Sequence, residues 1–151
     1  MQAIVRFLAT GAYTGFAPFA PGTFGTLPAV ALAPLVAGAA DFGVVPYLLL
    51  LVAIIAVAIW AADRFAAETG LKDPGTVVID EIAGYLVTVA FLPVTPLTLV
   101  AGFFVFRFLD IVKPPPARRF EMLPGGVGIV MDDVMAGIYG NLLLRLVLPL
   151  L

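Results

Sequence analysis

The chain contains no cysteine, no histidine and no serine. Those absences exclude disulfides, thiolate metal centres, imidazole bases, the usual zinc ligands and every Ser-His or Cys-His nucleophile pair. Any chemistry must be carried by carboxylates, Lys, Arg, Thr, Tyr, backbone amides or a hard metal ion. Charge is scarce too: only 12% of residues are Asp, Glu, Lys or Arg, against about 25% in soluble domains. The net charge of −2 offers no basic surplus for nucleic-acid phosphates, so no nucleic-acid partner is expected.

Apolar residues, by contrast, abound. They make up 62% of the chain, with a mean hydropathy of +1.13, which points to a membrane protein. A length of 151 residues suits one compact unit better than two domains. The opening MQAIVRFLATGAYTG lacks the long apolar core and cleavage site of a signal peptide, and is expected to belong to the mature protein as a short helix.

Apolar runs extend over Leu27–Ala40, Val44–Ala62, Ile82–Phe106 and Val134–Leu151, and strand-like alternation is weak, so the class is all-α. Val44–Ala62 is long enough to approach the roughly 30 Å hydrocarbon core. Pro93-Val94-Thr95-Pro96 breaks the third run, because proline removes a backbone donor and crowds the preceding turn. Two short helices in a hairpin are expected there, and a similar hairpin turning at Asp41–Gly43 between the first two runs. The result is a compact helical bundle, membrane-embedded through short or re-entrant hairpins.

The charges cluster. Apart from Arg6, Asp41 and Arg145, all lie in two blocks, Asp63–Glu81 and Arg107–Asp133. The two hairpins bring both blocks to one face, together with the stretch GFAPFAPGTFGTLP (Gly15–Pro28). Arg64, Lys72, Arg107, Lys113, Arg118 and Arg119 lie on that face and neither hairpin tip carries a Lys or Arg, so the positive-inside rule makes it cytoplasmic.

Four constellations on this face could do chemistry. Asp80 and Glu81 stand at the mouth of an apolar helix. An N-cap would explain one acid; it explains neither the second nor Gly84 one turn on. Arg107, Asp110 and Lys113 recur at i, i+3, i+6 along one helical face. A surface ion-pair ladder contributes little, and this one ends a greasy helix, where a cation–carboxylate–cation row suits phosphate oxygens and a metal. The Gly-rich segment Gly125–Gly128 is expected to be a flexible approach that delivers Asp132 and Asp133 to the start of the last helix. Adjacent carboxylates in an apolar setting call for a cation or hydrogen bonds; with Asp80, Glu81 and Asp110 they make five oxygen donors suited to Mg²⁺. Lastly, Pro21-Gly22-Thr23-Phe24-Gly25-Thr26 is a Gly-rich stretch ahead of a helix, where backbone amides bind anions. It is not a P-loop, since no Lys follows the second Gly, and a plain connector is the competing reading.

The blocks APGTFGTL, DPGTVVIDEIAG, FRFLDIVKPPP and GGVGIVMDDVMAG resemble, in order, those of the bacterial phosphatidylglycerophosphatase A family, from about Gly15 to Gly140. The resemblance implies a single domain over residues 1–151, all-helical, with one central helix surrounded by others. It implies an Mg²⁺-dependent lipid phosphatase that converts phosphatidylglycerophosphate to phosphatidylglycerol at the cytoplasmic face of the bacterial inner membrane. Carried over by position, the acidic pairs fall on Asp80–Glu81 and Asp132–Asp133, the Arg-Asp-Lys row on Arg107, Asp110 and Lys113, and the Pro-Gly-Thr block on Pro21, Gly22 and Thr23, followed by Gly25 and Thr26. Asp73 matches a further acid. A departure is Pro115-Pro116, where the family often has an aromatic before the second Pro.

The residues and the resemblance together give one expectation. Asp80, Glu81, Asp132 and Asp133 hold Mg²⁺; Asp110 is a further ligand or general base; Arg107 and Lys113 neutralise the phosphoryl oxygens; and the Pro21–Thr26 stretch cradles the headgroup. Metal-activated water and an aspartyl-phosphate both fit this set. The rival class is a membrane ion or metal transporter using clustered carboxylates, against which the acids lie at the ends of the runs and no inverted repeat is visible.

Overall fold

The computed structural model describes residues 2–150, and among these only helices, 3₁₀ turns and connections occur. Seven α-helices follow in order: α1 Gln2–Ala9, α2 Pro21–Ala37, α3 Val44–Thr69, α4 Ile79–Thr88, α5 Pro96–Val112, α6 Ala117–Phe120 and α7 Gly125–Val147. The all-α class and the short N-terminal helix are as expected.

The centre is α4. Seven of its ten residues are buried, and it packs against α2, α3, α5 and α7. The closest crossing is with α7, where Gly137 lies so near the Gly84 carbonyl that any Cβ would collide with it. Glycine is needed there for approach. Thr88 lies against Gly140 one turn further along the same seam.

Both expected hairpins form. Thr95 caps α5, its Oγ1 accepting the Thr98 N–H at 3.1 Å, and Pro96 opens that helix where a missing N–H costs nothing. The other hairpin turns through a 3₁₀ segment, Gly38–Phe42, and Gly43 at φ 111. The hairpin of α4 and α5, with 10 and 17 residues, is the shorter of the two. Pro21–Phe42, Val44–Thr69 and Gly125–Leu150 are each long and apolar enough to cross a membrane.

Two local expectations are corrected. The Pro21–Thr26 stretch is not a loop ahead of a helix but the first two turns of α2, with Pro21 at its favoured N-terminal position and Ala20 at φ 45 turning the chain into it. The segment Gly125–Gly128 is helical rather than a flexible approach. A Cβ on Gly126 would strike the Ile59 carbonyl and one on Gly125 the Asp63 carboxylate, so these two glycines let α7 begin against α3. Asp132 and Asp133 therefore sit two turns inside α7, not at its start. Beyond the apolar run, α3 continues through Asp63, Arg64 and Glu68 and ends only at Gly70, whose φ of 71 and N–H to the Ala66 carbonyl at 3.0 Å close the helix.

Candidate active site

At one end of the bundle, Asp80 and Glu81 in the first turn of α4 meet Asp133 of α7. One oxygen from each of the three lies within 4.8 Å of the others. Arg107 and Asp110 of α5, Lys113 just beyond it, and Asp132 complete the walls of a cavity of about 240 Å³. Asp73, Ala20, Pro21, Gly22, Gly75, Val77 and Ile129 also face it.

Each cation is paired. Arg107 donates from Nη1 to Asp110 Oδ2 at 2.5 Å and lies 3.5 Å from Glu81 Oε1. Lys113 Nζ donates to Asp132 Oδ2 at 2.6 Å and lies 3.9 Å from Glu121. Only Arg107 and Asp110 of the expected i, i+3, i+6 row lie within the helix; Lys113 ends α5 at φ 47 yet faces the same cavity, and the two cations reach different acids. The expected four-acid metal set divides accordingly: Asp80, Glu81 and Asp133 converge, whereas Asp132 is bound to Lys113.

The charge balance is uneven, because six carboxylates, Asp73 included, face two cations. Burial, reinforced by Glu81 and Asp133, pushes the Asp80 carboxyl well above its usual range. Burial also raises Glu81, an effect opposed by Arg107. On Lys113, burial pulls the ammonium down, and the contact with Asp132 overrides it and raises it. Asp80 Oδ1, Glu81 Oε2, Asp132 Oδ1 and Asp133 Oδ2 are buried with no hydrogen-bond partner. Buried, unpartnered carboxylate oxygens at hydrogen-bonding cost suit a divalent cation with oxygen ligands, so the residues fit Mg²⁺.

The expected cradle is only partly at the cavity. Pro21 and Gly22 line it; Thr23, Gly25 and Thr26 do not. A Cβ on Gly22 would collide with Glu81 Oε1 and reach the Arg107 guanidinium at 3.0 Å, so the bare backbone of Gly22 is what lets both groups occupy their places. Gly25 instead admits the Val78 side chain against α2, which makes it a packing residue. The Thr26 hydroxyl is buried and donates to the Gly22 carbonyl at 2.8 Å, so it is committed inside the helix.

Two contributors escaped the sequence reading. Asp63, half the chain away, accepts the Gly126 N–H at 3.1 Å and secures the start of the helix that carries Asp132 and Asp133. At the far end, Asn141 donates to the carbonyls of Thr88 at 2.9 Å and Ala90 at 2.8 Å, and Arg145 reaches Ala90 as well, which closes the C-terminus of α4. Neither pairing leaves a local signal, since both partners are remote in the chain.

Comparison with known proteins bears on the same residues. The family model described as Phosphatidylglycerophosphatase A matches residues 7–148. A Haemophilus influenzae protein named Phosphatidylglycerophosphatase A is 34% identical, over 89% of this chain and 83% of its own length. The Escherichia coli protein of that name is 35% identical, over 88% and 77%. A Bacteroides thetaiotaomicron protein provisionally named a phosphatidylinositol-3-phosphatase is 38% identical, over 91% and 89%. No solved structure matches the chain.

Proposed function

The chain belongs to the phosphatidylglycerophosphatase A family, and from that premise we propose that it hydrolyses phosphatidylglycerophosphate to phosphatidylglycerol and inorganic phosphate, with Mg²⁺ as cofactor. Membership makes it a phosphoric monoester hydrolase. The observation that carries the proposal is the excess of negative charge in the cavity. An anionic phosphate approaching six carboxylates and two cations calls for a further cation to join it.

Asp80, Glu81 and Asp133 would hold that cation, since they converge and keep unpartnered oxygens. When bound, Mg²⁺ supplies charge neutralisation at the phosphoryl oxygens and lowers the pKa of water. Arg107 and Lys113 neutralise charge on the remaining phosphoryl oxygens. Asp110 fixes the Arg107 guanidinium with one oxygen and offers the other to the proton of the attacking water. Asp132 holds Lys113 in place. Water adds to phosphorus and gives its proton to Asp110, the bond from phosphorus to the glycerol oxygen breaks, and that oxygen takes up the proton Asp110 accepted, which regenerates the carboxylate.

The apolar flanks of α2, α3 and α7 would place the bundle in the bacterial inner membrane with the cavity toward the cytoplasm, where the cationic residues gather. The Bacteroides relative's name supports a second substrate, a phosphoinositide, on the same site. Phosphate release from detergent-solubilised phosphatidylglycerophosphate and from phosphatidylinositol 3-phosphate separates the two. Faster release from the first, abolished by EDTA, is expected; preference for the inositol lipid would transfer the proposal to that substrate, and release from neither would overturn it.

A further inference from the structure

On the other side of α4 from the acids lies a second and larger cavity, of about 740 Å³, lined by glycine and apolar side chains alone. Its walls are Phe7 and Leu8 of α1, Pro28 and Leu32 of α2, and Ala53 and Val57 of α3; Ile79 and Ile82 of α4 form its floor. We propose that this groove holds one fatty acyl chain of the lipid substrate, an assignment that rests on the lipid-phosphatase reading above.

Three observations select that occupant. The helices that form the mouth, α2 and α3, are both long and apolar enough to cross a membrane, so the groove opens on hydrocarbon rather than water. The floor and the reaction centre share one turn of α4: Ile79 and Ile82 face the groove while Asp80 and Glu81 face the acidic cavity. And α2 joins the two sites along a single stripe. Pro21 borders the acidic cavity, and Pro28 and Leu32 border the groove, at i, i+7 and i+11. Seven residues of helix rise about 10 Å, a reach comparable to the phosphoglycerol portion of a glycerophospholipid. A lipid with its terminal phosphate at the acids can thus lay its glycerol backbone along the N-terminal turns of α2 and one chain between α2 and α3.

The width of the groove comes from small residues. Ala31 and Ala53 line it and are exposed, so larger side chains there fill the groove without entering the core. The test compares kcat/KM for long-chain (dioleoyl) and water-soluble short-chain (dibutyryl) phosphatidylglycerophosphate in wild type, Ala31→Phe, Ala53→Phe and Val52→Phe. Val52 is exposed on α3 and does not line the groove.

In Ala31→Phe and Ala53→Phe the long-to-short ratio should fall about tenfold, the loss expected when a few methylenes leave apolar contact. In Val52→Phe the ratio should match wild type. A wild-type ratio in both groove variants, or an equal fall in Val52→Phe, would overturn the assignment. Failure of wild type to hydrolyse either lipid would instead defeat the phosphatase reading on which it rests. Independently of any variant, a substrate analogue with a photoreactive group in one acyl chain should label residues 7–12 and 28–32. Labelling confined to the outer face around Val44–Leu49 would also overturn the assignment.

Discussion

Replacing Gly22 by Ala should separate activity from stability. The added Cβ meets no backbone from another element; it meets the tips of Glu81 and Arg107. Both tips belong to flexible side chains, so the fold can absorb the methyl by moving them. The backbone at Gly22 is ordinary helix, and alanine gains up to about 1 kcal/mol of helix propensity over glycine. The thermal midpoint should therefore stay within about 1 kcal/mol of wild type. Catalysis should not survive so well: Glu81 is one of three converging carboxylates, and Arg107 is aligned by Asp110. A misplacement on the order of 1 Å in a positioned group costs about 100-fold. The same substitution at Gly25 should do the reverse. There the Cβ would press on the Cβ of Val78, buried between α2 and α4, and overpacking costs about 1–3 kcal/mol. Phosphate release and thermal unfolding, measured on both variants in the same detergent, give the comparison. Wild-type kcat/KM in Gly22→Ala, or a stability loss there equal to that of Gly25→Ala, would refute the reasoning.

The other predictions concern the cation and the helix ends. Mg²⁺ at 100 times its dissociation constant should stabilise wild type by about 2.7 kcal/mol, and Asp80→Asn should abolish that shift in thermal midpoint while leaving the metal-free protein no less stable, since it removes one of three mutually repelling carboxylates. Asn141→Leu should lower stability by about 1–3 kcal/mol, because it strips the donor from the carbonyls that end α4; kcat per folded molecule should be retained, as the change lies at the opposite end from the acids. Asp63→Ala should cost about 1 kcal/mol through the lost acceptor at the start of α7, read as a lower unfolding midpoint.

What could be read in the sequence follows from the range of the causes. The Pro93–Pro96 break was legible because proline acts on its own turn, and the hairpin between α4 and α5 forms there. The acids and the Arg107-Asp110 pair were legible because helical spacing sets the face they share. The glycines were not. Gly22 and Gly25 suggested an anion cradle and Gly126 a flexible backbone, whereas their role is set by neighbours far along the chain: Glu81 and Arg107, Val78, and Ile59. For the same reason Pro21–Thr26 and Gly125–Gly128 were read as loop and are helix. Asp132 and Asp133, adjacent in sequence, differ for a geometric reason: successive residues on a helix point about 100° apart, so one meets Lys113 while the other meets Asp80 and Glu81.

The central claim is that Asp80, Glu81 and Asp133 hold the cation needed to hydrolyse a lipid phosphomonoester. The most direct measurement is ³¹P NMR of phosphatidylglycerophosphate in detergent micelles, followed first with EDTA and then with excess Mg²⁺. With wild type, the expected spectrum is static under EDTA; after Mg²⁺ the monoester resonance gives way to inorganic phosphate while the diester resonance keeps its area. With Asp133→Asn the monoester should persist throughout. Hydrolysis in EDTA, or a wild-type rate in Asp133→Asn at saturating Mg²⁺, would contradict the claim.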